Sequence, residues 1–174
     1  MMQATYFVML MISIGFVFFM LDRYQKHTSV YYLLMTVAVV IVNLGYLQIA
    51  GAKTEEGALL GNQVYCLAYP FLLLFTIQAI ADLCKTRVPV AVRVLCICIS
   101  FIIFLGASSA GYVDWYYRSV EMVIRDGYTS LQREYGPLHL LSPIYIAITF
   151  GCGLIIVLNA MRRKKHVSHF VSLG

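Results

Sequence analysis

Apolar residues run along this chain in blocks of about twenty, separated by short charged clusters. That pattern predicts helices crossing a membrane, since about twenty residues at helical rise cover the hydrocarbon core. The blocks fall at about 5–21, 29–50, 55–83, 90–110 and 140–160. Asp22-Arg23-Tyr24-Gln25-Lys26 closes the first, and Arg162-Arg163-Lys164-Lys165 closes the last. Thr54 is placed to cap the third helix, with Glu55 and Glu56 at the positive end of its dipole. That helix spans about 43 Å at 1.5 Å per residue, so its first turns project beyond the membrane. Pro89 stands where a fourth helix can begin. The N-terminus lacks the basic stretch of a signal peptide, so the first block is expected to remain as a span.

The one long connection, residues 111–139, changes period. Tyr116 to Ile124 and Tyr128 to Leu131 read as strands flanking Asp126-Gly127, the strongest short signal for a β-hairpin. Residues of about 116–124 are therefore expected to pair antiparallel with about 128–134, over the helix ends. The expected fold is all-α membrane: a single domain over 1–174, with about five transmembrane helices and a small extracellular hairpin before the last.

Composition sharpens this picture. Of 174 residues 61% are hydrophobic and only 12% charged, too few charges to coat a water-soluble fold of this size. The net charge of +5 does not argue for nucleic acid, because the basic residues flank apolar blocks and form no face of their own. Of the 13 lysines and arginines, nine lie on one side: Arg23, Lys26, Lys85, Arg87, Arg93 and the four of the tail. Lys53, Arg118, Arg125 and Arg133 lie on the other. Cytoplasmic segments carry the excess, which gives N-terminus out and C-terminus in. Arg93, about a turn inside the fourth span, can snorkel to the interface.

Chemistry is sparse. The spans hold no acidic residue and no histidine well inside, and the chain carries no phosphate loop and no kinase or cyclase catalytic block. No catalysis, no cofactor and no metal are expected. Cys96 and Cys98 lie about 200° apart on a helix, nearly opposite faces, and read as small apolar filler. His166 and His169 share a helical face but lack a third ligand. No cysteine falls in a segment placed outside, so no exported disulfide framework is indicated.

An ordered series of residues is more informative. Asn43-Leu44-Gly45-Tyr46 is followed by Ala52-Lys53-Thr54-Glu55-Glu56-Gly57-Ala58, then Tyr65 and Tyr69-Pro70. Tyr116-Tyr117-Arg118-Ser119-Val120-Glu121, Gly127-Tyr128 and Tyr135-Gly136-Pro137-Leu138 complete it. This series resembles the seven-transmembrane sensor region at the N-terminus of bacterial histidine kinases, found also ahead of some diguanylate cyclases. The resemblance covers about residues 5 to 165. Gly45, Thr54, Glu55, Glu56, Pro70, Gly136 and Pro137 carry much of it. It implies seven helices followed by cytoplasmic signalling domains in a bacterial plasma (inner) membrane. The departure is at the end, where there is room for five spans, as in a fragment or a shortened relative.

The expected function is a membrane-embedded sensory input module. Its expected partners are the lipid bilayer, a small ligand, a cytoplasmic kinase or cyclase output domain, and a second copy in a homodimer. A small transporter or channel subunit is the alternative, opposed by the lack of buried carboxylates; a non-catalytic structural subunit is the third reading. The polar set expected within the membrane itself is Asn43, Gln48, Gln78 and Asn159. Asn43 and Tyr46 share one helical face, and Tyr65 and Tyr69 share another. Pro70 can kink the third helix beside them and free a carbonyl. With Trp115, these are the candidate walls of an outer pocket for an uncharged or amphipathic ligand. The competing reading makes Asn43 and the tyrosines interhelical glue and belt residues.

Overall fold

The computed structural model describes residues 2–22, 29–110, 112–125 and 128–171, with side chains through residue 163 except at 125. The expected Asp126-Gly127 turn, the basic residues Arg23 and Lys26, and the tail histidine side chains lie outside what is described. Among the described residues there are five long helices and one hairpin. They are α1 (Met2–Asp22), α2 (Val30–Gly51), α3 (Glu55–Leu83), α4 (Val90–Ser108) and α5 (Leu141–Val171). Strands β1 (Tyr117–Arg125) and β2 (Tyr128–Tyr135) stand between α4 and α5, and a 3₁₀ turn, Pro137–Leu140, leads into α5. All five helices are long and apolar enough to cross a membrane.

The helix starts follow local chemistry. Ser29 Oγ accepts from Tyr31 N, and Thr54 Oγ1 accepts from Gly57 N at 3.2 Å. Ser29 also donates to Asp82 Oδ2, tying the start of α2 to the end of α3. The end of α3 is a Schellman turn: Lys85 N–H bonds Asp82 O and Thr86 N–H bonds Ala81 O, with Lys85 at φ 51°.

The fifth helix differs from its expected extent. It continues past Ala160 to Val171. No glycine or proline interrupts 154–171, and Arg and Lys are good helix formers that suit a helix C-terminus. At 31 residues, α5 is about 46 Å long. This exceeds the ~30 Å hydrocarbon core.

Packing is tightest between α2 and α3. A Cβ built on Gly45 would lie 2.5 Å from Tyr65 N, and one built on Gly61 would lie 2.8 Å from Ile49 N. The two glycines face each other, so the backbones approach as close-packed membrane helices do. By contrast, α1 buries only Leu10 and Ser13, and Phe7, Ile12, Phe16 and Phe18 are exposed. Such a face is intolerable in water but ordinary against lipid tails.

The hairpin is antiparallel, running from Arg125 paired with Tyr128 to Tyr117 paired with Tyr135, with a bulge between Tyr117 and Ser119. Its base closes on backbone bonds: Gly136 N–H to Tyr116 O, and Leu138 N–H to Trp115 O, both 2.9 Å. Beneath it lies the main core, where Tyr116, Tyr117, Ile103, Ala107, Cys66 and Tyr145 meet.

Candidate functional site

The hairpin end of the bundle gathers the polar and aromatic groups. Tyr6 of α1 stacks on Tyr46 of α2, with ring centroids 5.5 Å apart and planes 8° apart. Tyr46 meets Tyr65 of α3 at 4.8 Å, and Tyr65 stacks on Tyr69 at 5.4 Å. The sequence pairs therefore join into one ladder across three helices, with Tyr6 as a fourth member. Tyr6 precedes the region where polar spacing was informative, but its place at i−3 from Met9, on the face that meets α2, marks it.

Asn43 and Trp115 stand apart from this ladder. Asn43 Nδ2 donates to Ser13 Oγ at 3.3 Å and to Met9 O at 3.4 Å, holding α1 against α2. It lines a different cavity of about 330 Å³, between those two helices. Trp115 is 70% exposed, and its carbonyl accepts from Leu138 N–H at the hairpin base.

Two residues that the span reading passed over lie at the centre. Arg133 extends from β2, and its Nη2 donates to Asn62 Oδ1 at 2.9 Å. Asn62 is 1% exposed, and its Nδ2 donates to Ala107 O, linking α3 to α4. The Arg133 guanidinium carbon lies 5.8 Å from the Tyr117 ring centroid. Its Nε is buried with no hydrogen-bond partner among the described residues. A cavity of about 130 Å³ opens beside it, walled by Tyr6, Tyr46, Tyr128, Thr129 and Arg133. Thr129 Oγ1 donates to Ala52 O at 2.6 Å and pins the strand to the end of α2. Strand alternation carries the signal: Thr129, Leu131 and Arg133 face inward while Gln132 and Glu134 are exposed.

The hairpin also couples to α5. Tyr116 and Ser142 share a hydrogen bond, and the Tyr116 ring packs edge-on against Tyr117 and His139. Burial pushes the Tyr116 phenol up to about 12 and raises Tyr117 as well. Deeper in the bundle Ser100 donates to Pro70 O at 3.1 Å and meets Tyr145 OH at 3.2 Å. Since Ser100 donates to the carbonyl, Tyr145 is the donor to Ser100. The chain Tyr145–Ser100–Pro70 thus ties α5, α4 and α3 together.

The remaining motif positions are joints of the fold. Gly45 is the α2–α3 crossing, Thr54 the cap of α3, Glu55 and Glu56 its first turn, and Pro70 the α3 end of the buried hydroxyl chain. Gly136 and Pro137 form the hairpin base and the first residue of the 3₁₀ turn.

The family model described as the N-terminal 7TM region of histidine kinase matches residues 5–171, which include nearly all of every helix and the whole hairpin. No curated protein and no solved structure matches the chain.

Proposed function

The chain belongs to the family of N-terminal 7TM regions of histidine kinases, and from that premise we propose that this multi-pass membrane protein is the sensory input module of a bacterial signal-transduction protein. It sits in the plasma (inner) membrane with the N-terminus and hairpin outside. It senses a small ligand and catalyses nothing itself. Its partners are the lipid bilayer, a cytoplasmic kinase or cyclase output domain, and a second copy in a homodimer.

The continuity of α5 carries this reading. One unbroken helix starts at the hairpin, where Ser142 holds Tyr116, and continues through Arg162-Arg163-Lys164-Lys165. A change in hairpin seating has a rigid rod to act on, about 46 Å long. A ligand shifts output only through unequal affinity for two seatings of that rod.

The test joins the chain through α5 to a histidine-kinase catalytic core. Two residues inserted after Arg163 rotate everything beyond by about 200°, whereas seven rotate it by only about 20°. Kinase output is expected to survive the seven-residue insertion and to be lost or inverted by the two-residue one. Output indifferent to helical phase would overturn α5 as the conduit.

Orientation rests on the distribution of lysine and arginine, nine against four. In a variant whose native cysteines are replaced by serine, Glu121→Cys is expected to react with an impermeant maleimide added to intact cells. Arg163→Cys is expected to react only after the membrane is opened. The opposite pattern would invert the topology and place the proposed sensing end in the cytoplasm.

A further inference from the structure

The sequence marks no charge for a ligand, yet the fold brings a half-buried cation, with its Nε fully buried, to the wall of the hairpin-end cavity. Arg133 has five N–H donors, of which Asn62 takes one, and its buried Nε has no partner among the described residues. Asn62 is a neutral amide and cannot neutralise a guanidinium. Taking part of a guanidinium out of water is costly, no ion pair offsets it among the described residues, and its planar donors match a carboxylate in a two-bond fork. Hydroxyl-bearing side chains of Tyr6, Tyr46 and Thr129 wall the same cavity. At about 130 Å³ it is well below the ~300 Å³ at which whole-ligand pockets begin, so it has room for a head group only.

A second cavity for the rest of a ligand lies along the same two helices. On α1, Tyr6, Met9, Ser13 and Phe16 follow one another at spacings of three and four, on one face. On α2, Tyr46, Asn43, Val39 and Met35 do the same in the opposite direction. The Tyr6–Tyr46 pair therefore stands between the Arg133 cavity and the almost wholly apolar seam of about 330 Å³. Because α1 is exposed along most of its surface, that seam opens toward lipid.

We propose that this end of the bundle binds a single-chain amphiphile by its compact anionic head, a carboxylate or phosphate. Arg133 holds the head, and the tail passes the Tyr6–Tyr46 pair into the α1–α2 seam. The site rests on the sensory reading for its purpose, but its test is a binding measurement that needs no output domain. A failure here leaves the α5 phase experiment standing, and a failure there leaves this one standing.

The probe is dodecanoate, titrated against the whole chain in phosphatidylcholine nanodiscs, with dodecanol as its uncharged counterpart. Dodecanoate is expected to bind at least about tenfold tighter than dodecanol, and Arg133→Gln is expected to erase that difference. Arg133→Lys, which keeps the charge but not the fork, is expected to fall between. Val39→Trp fills the seam without touching the Arg133–Asn62 pair, and is expected to weaken dodecanoate by about tenfold or more. It therefore reports on the site even if Arg133→Gln unfolds the hairpin. Replacing part of the bilayer with phosphatidylglycerol separates the two sources of anion. No competition from phosphatidylglycerol is expected of a single-chain site, and competition that disappears in Arg133→Gln would overturn the single-chain assignment by giving the cation to a two-chain lipid head. Equal binding of dodecanoate and dodecanol to the unaltered chain would overturn the proposal. So would dodecanoate binding that neither Arg133→Gln nor Val39→Trp changes.

Discussion

Replacing Gly45 by leucine is expected to prevent α2 and α3 from packing, and to leave a protein that inserts but does not hold its native bundle. The first atom of any side chain at this position would stand 2.5 Å from Tyr65 N and 2.8 Å from Gly61 O. Both are backbone atoms of a helix, which cannot swing aside as a flexible side chain can. The helices must separate, and separation also breaks the contact of Gly61 with Ile49 and the Tyr46–Tyr65 ring pair. Overpacking a well-filled site costs about 1–3 kcal/mol, and backbone collision puts this one at the upper end or beyond. No hydrophobic gain on re-association offsets it, because lipid tails are as apolar as the helices. Thermal denaturation in detergent measures the effect. Gly15→Leu and Gly151→Leu are the controls, since nothing lies within 4 Å of a Cβ at either position. A Gly45→Leu protein that melts with those controls would show that the α2–α3 crossing is looser than described.

That glycine was legible from its motif, but its partner was not singled out. Gly57-Ala58-Leu59-Leu60-Gly61 spaces two glycines four apart, a recognised signature of close helix packing. It falls where α3 is expected to project from the membrane, and there the capping residues are the stronger local signal. Asn62 was passed over for the same reason, although it is among the most deeply buried side chains. The five spans and the hairpin were readable because each follows from a strong local rule: uninterrupted apolar length in one case, Asp-Gly between alternating runs in the other.

Arg133 shows where local reading stops. Counted among the cations of a loop, it served only as a topology marker. The period of two in β2 already placed it on the inward face with Thr129 and Leu131. What the sequence does not contain is the docking of that face on α2 and α3. Asn43 and Trp115 illustrate the converse. Both are conspicuous residue types, but one turns toward α1 and the other toward solvent. Their direction depends on which neighbour each helix or loop packs against, and no spacing within one segment specifies that.

Gly136→Val is expected to unseat the hairpin base while leaving the helices inserted. Gly136 has an ordinary extended backbone, φ −86° and ψ 177°, so its value lies in its surroundings rather than in its torsions. A Cβ there would come 2.4 Å from Trp115 O and 2.6 Å from Asp114 O. The connection before β1 would have to move away, and the bonds from Gly136 N–H to Tyr116 O and from Leu138 N–H to Trp115 O would part with it. Each is worth about 0.5–1.5 kcal/mol net, and the carbonyls freed at a half-buried site add a desolvation cost. Tyr116 and Ser142, the link between hairpin and α5, stand next to the break. Limited proteolysis offers the readout, since the 112–135 segment carries Arg118, Arg125 and Arg133 as trypsin sites. Cleavage there is expected to rise by one to two orders of magnitude, as a cost of about 2–3 kcal/mol implies for local opening. A valine that left these sites as resistant as before would mean that the hairpin is held by the Thr129–Ala52, Arg133–Asn62 and Tyr116–Ser142 bonds and not by its base. The phase of α5 would then report on the Tyr116–Ser142 link and not on the hairpin base.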